Sequence, residues 1–294
     1  MRAHWVAVAL LFLVATAWGA TFTVVKDILV DIAPEPFIFL RFTLAGLVLA
    51  AMALARGALS EAEGLRATFR PGLILGILVF VGYWCQTRGL MVISPSRSAF
   101  LTGLYVVLVP FCDRLLYRTR IDARAWIGSA LAVVGTTMLI GGFDARPSWG
   151  DALTFVCAIC FAMHVVLSAK YSAETSALAL AAVQVLVVGI AAAPPSLFAP
   201  RPRMTANVIG VIVFTAVVTT ALAFVALMWG QARVTATEAA VMLAFEPVAA
   251  SFTSILLDRE PLTPVFIAGG AIILAAMVLS QLPEKTWQRD PIAP

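Results

Sequence analysis

Apolar residues do not alternate along this chain; they run. Long hydrophobic stretches are separated by short polar gaps, and a membrane-spanning helix needs about 20 such residues, within a range of about 17–25. Ten stretches reach or approach that length: Trp5–Val25, Phe37–Ala55, Gly72–Arg88, Ser96–Leu116, Ala125–Gly142, Trp149–Ser168, Ala177–Ala193, Val208–Trp229, Ala236–Leu257 and Val265–Leu282. The gaps carry turn-forming residues, among them Pro34 and Pro36, Arg146-Pro147, Pro194-Pro195 and Pro261 to Pro264. No gap is long enough for a soluble domain, and the tail from Pro283 is polar and expected to fray. The pattern predicts an all-α integral membrane fold of ten transmembrane helices. The first run has some marks of a signal peptide, with Arg2 ahead of it and Gly19-Ala20 late in it. Its apolar stretch exceeds the usual length of about 7–15 residues, so it is expected to remain as a helix.

The runs repeat. Ser94-Pro95-Ser96-Arg97 opens a stretch that closes on Phe111, Leu115, Leu116 and Arg118. Thr235-Ala236-Thr237-Glu238 opens another that closes on Phe252, Leu256, Leu257 and Arg259. A shift of 141 residues superposes these closing residues, and also places Gly89 on Gly230, Gly128 on Gly269 and Ala130 on Ala271. One ungapped register of this length implies a duplicated domain, with residues 1–146 as the first repeat and 147–294 as the second. Five helices per repeat is an odd number, so the second repeat enters the membrane from the opposite face. Inverted pairs are a recurring plan of secondary transporters, with the substrate site near mid-membrane between the halves.

Composition agrees with a membrane setting. Of 294 residues, 62% are hydrophobic and 12% charged, against about 25% charged in soluble domains. The mean hydropathy is +0.98. The net charge of +4 could suggest nucleic acid, but the arginines sit in short gaps and form no basic face, so no such partner is expected. They anchor the helix ends instead. Lys and Arg are denser on the side of Arg2, Arg56 and Arg114–Arg124 than on that of Lys26, Arg88 and Arg201. This bias puts both termini in the cytoplasm. Trp5, Trp126, Trp149 and Trp287 fall at membrane edges, as interfacial anchors do. Cys157-x-x-Cys160 lies inside an apolar run, where buried thiols acting as small hydrophobes are expected.

Polar residues inside the runs are the candidate chemistry. Pro110 and Pro247 each delete a backbone hydrogen bond and are expected to interrupt their helices. In lipid the carbonyl so freed must find a partner. Ser94 with Pro95 reads as a helix start, and Thr235-x-x-Glu238 as a capping box. Glu246, deep in its run, costs about 2.5–3.5 kcal/mol on insertion scales when charged, so it implies a partner, a proton or a wet cavity. Arg41 is expected to reach outward or pair with Glu35, a structural role, with substrate contact as the alternative. His164 reads as a packing histidine or a site residue; with no partners spaced around it, no metal is expected. Trp18, Tyr83, Gln86, Thr102, Tyr105 and Phe245 also lie within runs. Tyr83 with Gln86, and Thr102 with Tyr105, share helical faces. There is no phosphate-binding loop, no H-E-x-x-H and no G-x-S-x-G; no enzymatic activity and no cofactor are expected.

Ala17-Trp18-Gly19 through Lys26, Arg41-Phe42 and the proline-bearing fourth and ninth helices resemble the EamA-type drug/metabolite transporter superfamily, over about Trp5 to Leu282. Within it the chain is most similar to bacterial aromatic amino acid exporters. The resemblance implies a cavity lined by helices three, four, eight and nine, around which one, two, six and seven move. It favours Tyr83, Thr102, Tyr105, Met242 and Glu246 as lining residues, with Trp18 and His164 nearby. One departure is Gln184, which stands where a basic counterpart of Arg41 would restore symmetry. The expected activity is export of hydrophobic amino acids and related metabolites across a bacterial inner membrane, by a monomer in the lipid bilayer. The alternatives are transport of another metabolite or drug, inward or outward, and a membrane scaffold.

Overall fold

The computed structural model describes residues 2–58, 62–118, 123–139, 148–257 and 261–281. Arg120, Arg146, Arg259, Trp287 and the tail from Pro283 lie outside these residues. Among the described residues there is no strand. The helices are α1 (Arg2–Ile28), α2 (Pro34–Ala55), α3 (Ala62–Leu90), α4 (Pro95–Gly103), α5 (Tyr105–Tyr117), α6 (Ala123–Leu139), α7 (Trp149–Glu174), α8 (Ala177–Leu197), α9 (Ala206–Ala216), α10 (Ala223–Gln231), α11 (Ala236–Leu243), α12 (Glu246–Leu256) and α13 (Pro264–Gln281). A π-helical turn, Val217–Leu222, joins α9 to α10. Eight stretches are long and apolar enough to cross a membrane, α4–α5, α9–α10 and α11–α12 each counting as one. Two further apolar helices, Trp126–Met138 within α6 and Ile267–Leu279 within α13, are shorter.

The outside of the bundle is apolar. Leu115 is 83% and Leu256 66% exposed, a surface that water would penalise and lipid tails accept. Trp5 and Trp149 are also exposed. Inside, α2 packs on α8, α3 on α7 and α8, α6 on α13, and α1 on α10 and α12. Small residues permit these approaches. A Cβ on Gly19 would lie 2.3 Å from the Glu246 carbonyl oxygen, so α1 meets the start of α12 at backbone contact. Gly89 meets the Gly150 carbonyl of α7, and Gly230 meets Leu11 and the Ala7 carbonyl of α1.

The helix starts are built as their sequences require. The Ser94 hydroxyl accepts from the Arg97 amide at 3.2 Å. Thr235 and Glu238 exchange the two bonds of a capping box, at 2.7 and 3.2 Å. One expectation is corrected. Pro110 does not interrupt its helix; it lies inside α5, and the break falls at Leu104. The carbonyl that Pro110 leaves without an amide is that of Val106. The Ser129 hydroxyl of α6 donates to it at 3.1 Å, which removes the reason for a break there. Pro247 does behave as expected: it occupies the second position of α12, just past the interruption at Ala244 and Phe245. Gly103 faces it, and a Cβ there would sit tightly, 3.2 Å from the proline ring.

One end of the bundle is laced by charge. Arg88 pairs with Glu35 at 2.6 Å, and the Trp84 indole donates to the same carboxylate at 2.9 Å. Arg97 of α4 pairs with Asp151 of α7 at 2.5 Å. The Lys26 ammonium donates to the carbonyls of Leu90 and Ile93, at 2.8 and 2.6 Å, at the end of α3. These contacts tie α1, α2, α3, α4 and α7 together on the face of the shorter basic inventory.

Candidate functional site

Two small cavities lie between the helices, and three residues belong to both: Trp18, Tyr83 and Glu246. The first is polar for a membrane interior, lined by Thr21, Arg41, Gln86 and Thr87 along with Phe22, Val25, Phe37 and Leu90. The second is apolar and aromatic, lined by Val79, Tyr105, Phe161, Val165, Phe224, Leu227 and Leu243, with His164. Each offers about 20 Å³, room for a water molecule and not for a metabolite.

Glu246 is placed by the interruption before α12. It is the first residue of that helix and is 4% exposed. Its carboxylate forms no hydrogen bond or ion pair with any described residue. The positive end of the α12 dipole favours a negative charge there, by about 0.3–1 kcal/mol and up to about 2 when partly buried. That offsets only part of the about 2.5–3.5 kcal/mol that a carboxylate costs at membrane depth.

Arg41 corrects a second expectation. It neither reaches outward nor pairs with Glu35, which Arg88 and Trp84 occupy. It is 3% exposed and points across the bundle. Its Nε donates to the Thr220 hydroxyl at 2.8 Å, and a terminal nitrogen lies 3.4 and 3.3 Å from the Thr219 carbonyl and hydroxyl. The guanidinium also sits over the rings of Phe37, Phe42 and Tyr83, at 5.9, 5.2 and 5.1 Å. Cation–π contact of this kind stabilises a desolvated cation by about 2 kcal/mol. No carboxylate neutralises it among the described residues. Its acceptors come from the π-helical turn, whose wider backbone leaves carbonyls off the regular ladder. The Trp18 indole donates to the same Thr219 carbonyl at 2.7 Å.

The remaining candidates separate by position. Tyr83 stacks edge-on against Phe42 and Phe161, at 5.0 and 5.3 Å. The Tyr105 hydroxyl is buried without a partner. His164 of α7 meets the Gln184 side-chain oxygen of α8 at 2.8 Å beside the aromatic cavity, while the Gln184 side-chain nitrogen is buried without a partner. Gln86 lines the polar cavity and donates to the Thr102 hydroxyl at 3.0 Å. Thr102 itself lies behind that wall. Met242 is buried in the core, and Phe245 packs on Phe12 at 4.5 Å; neither lines either of these two cavities. Arg41 and Thr21 line one without having been singled out as site residues. The Thr219-Thr220 pair inside an apolar run was the available signal for Arg41. No cluster of three potential metal ligands occurs among the described residues.

The chain matches the EamA-like transporter family over residues 5–141 and again over 148–282. It belongs to that family. An uncharacterized transporter of Archaeoglobus fulgidus is 34% identical over 275 residues, 92% of this chain and 84% of that one. The uncharacterized transporter YyaM of Bacillus subtilis is 24% identical over 85% of this chain and 81% of its own length. A solved crystal structure shares the fold with a TM-score of 0.77 at 19% identity, covering 93% of this chain and 96% of that one. This EamA-like protein is thus a multi-pass membrane transporter, with a small molecule as its cargo and the bilayer as its solvent.

Proposed function

We propose that this transporter exports amino acids, aromatic or otherwise hydrophobic, and related metabolites across a bacterial inner membrane by alternating access. The observation that carries the reading is the adjacency of the two cavities. A polar compartment with one basic and one acidic side chain, Arg41 and Glu246, adjoins an aromatic compartment through Trp18, Tyr83 and Glu246. An amino acid has that division in its own covalent structure. A neutral sugar would leave Arg41 and Glu246 without charged partners, and a phosphorylated cargo would call for more than one deep cation.

Residues 1–146 and 147–294 act as inverted repeats of five helices each, with both termini cytoplasmic. The register-matched glycines support this. Gly89 contacts the helix that opens the second half, and Gly230 the helix that opens the first, as two halves exchanging equivalent contacts would arrange them. At about 20 Å³ apiece the cavities are too small for cargo, so the halves must part to admit it and then close behind it.

The test is uptake of labelled L-phenylalanine and L-tryptophan into proteoliposomes holding the purified protein and preloaded with unlabelled amino acid. Counterflow well above that in empty vesicles is expected, competed by other hydrophobic amino acids and not by sugars. Tyr83→Ala and Tyr105→Ala are expected to reduce it about tenfold or more. If no amino acid crosses faster than in empty vesicles, the assignment is wrong. A scaffold would be indifferent to both substitutions.

A further inference from the structure

Arg41 and Glu246, one basic and one acidic residue, line one cavity and do not pair with each other. Each is buried to within a few percent. Arg41 is held by two threonines and three rings, all neutral. Glu246 meets no donor among the described residues. Separated, uncompensated charges at membrane depth are costly, and a direct ion pair would be the simplest relief. A single ligand carrying both charges relieves both at once.

We propose that Arg41 and Glu246 form a zwitterion receptor, Arg41 taking the α-carboxylate and Glu246 the α-ammonium of one amino acid, whose side chain enters the aromatic cavity. The proposal rests on the amino acid reading and names the groups that enforce it. A guanidinium fork matches a carboxylate in geometry, and among the described residues the cavity presents no other charged side chain. A diamine would require two carboxylates and a diacid two cations. A lipophilic amine would leave Arg41 without a counter-charge. Trp18 and Tyr83 stand in both compartments and so contact the ligand at its α-carbon, between charged head and side chain.

The experiment compares three ligands that differ by one charged group: L-phenylalanine, phenethylamine, which lacks the carboxylate, and 3-phenylpropionate, which lacks the ammonium. Each competes for labelled L-phenylalanine on the purified protein. Wild type is expected to bind L-phenylalanine about tenfold or more tighter than either analogue, the loss that follows from leaving a buried charge unmet. Arg41→Gln should weaken L-phenylalanine and 3-phenylpropionate while sparing phenethylamine. Glu246→Gln should weaken L-phenylalanine and phenethylamine while sparing 3-phenylpropionate. Arg41→Lys keeps the cation and should retain the preference order at lower affinity. Should either glutamine variant fail to fold, the wild-type order remains decisive: phenethylamine or 3-phenylpropionate competing as well as L-phenylalanine overturns the receptor. Equal losses for all three ligands in both variants also overturn it, as does a Glu246→Gln protein that keeps its ligand order and loses only its response to a pH gradient. In those cases amino acid transport itself can stand. Wild-type protein that binds none of the three overturns transport and receptor together.

Discussion

The contact between α1 and α12 offers a demanding test of how the site is held. A methyl group added at Gly19 would lie 2.3 Å from the Glu246 carbonyl oxygen, 2.6 Å from Ala249 Cβ and 2.9 Å from the Ala250 nitrogen. Contacts under 3.0 Å are essentially never tolerated, so Gly19→Ala must move one helix by at least about 0.7 Å. Two of the three atoms are backbone and cannot swing aside. Overpacking of this kind costs about 1–3 kcal/mol. The movement also draws Trp18, the preceding residue, away from the Thr219 carbonyl, a hydrogen bond of 2.7 Å with a net contribution of about 0.5–1.5 kcal/mol. The expected result is destabilisation of about 1.5–4.5 kcal/mol, as the sum of those two ranges, with loss of transport because Trp18 and Glu246 part. Gly210→Ala is the control. Nothing lies within 4 Å of a Cβ there, so the helix should tolerate or gain from alanine by up to about 1 kcal/mol. Thermal unfolding in detergent, followed by tryptophan fluorescence, and counterflow on the same preparations compare the two. If Gly19→Ala matches Gly210→Ala in both measurements, the close approach does not position the site.

Ser129→Ala is expected to cost about 1–3 kcal/mol by stranding the Val106 carbonyl, and less in a Pro110→Ala background, where residue 110 regains an amide for that carbonyl; a double-mutant cycle on unfolding free energies measures the coupling. Asp151→Asn removes the carboxylate that holds Arg97 and closes the cap on Ser148, at 2.5 and 2.6 Å. Unfolding in detergent should fall by about 1–3 kcal/mol, with a smaller effect in high salt, where a partly exposed pair is already screened. Trp18→Phe keeps a ring and loses the bond to Thr219; a drop of about 0.5–1.5 kcal/mol is expected, and accelerated hydrogen exchange across Val217–Leu222 would report it.

The spanning helices were readable because lipid leaves a chain few options. A backbone that cannot bond to water must bond to itself over a length set by the bilayer. The caps at Ser94 and Thr235 were readable because the donor and acceptor lie within one turn. Glu246 stood out because a carboxylate in an apolar run has no cheap explanation. Arg41 was misjudged for the converse reason. Glu35 is close in sequence, whereas Thr219 and Thr220 are brought near only by the packing of α2 on the π-helical turn. Periodicity does not announce such a turn. Pro110 misled in the same way, since the hydroxyl that answers its missing amide sits on another helix. Thr102, Met242 and Phe245 share runs with cavity residues but face the packed side, a difference of helical rotation that a few apolar neighbours on every side do not encode.

The wide turn at Val217–Leu222 gives the bundle a single clasp. One oxygen, that of Thr219, is the acceptor for both the α1 indole and the α2 guanidinium, so the two helices share one anchoring atom. Restoring ordinary helical winding there would retract the oxygen from both, and α1 and α2 would each lose a bond in one stroke.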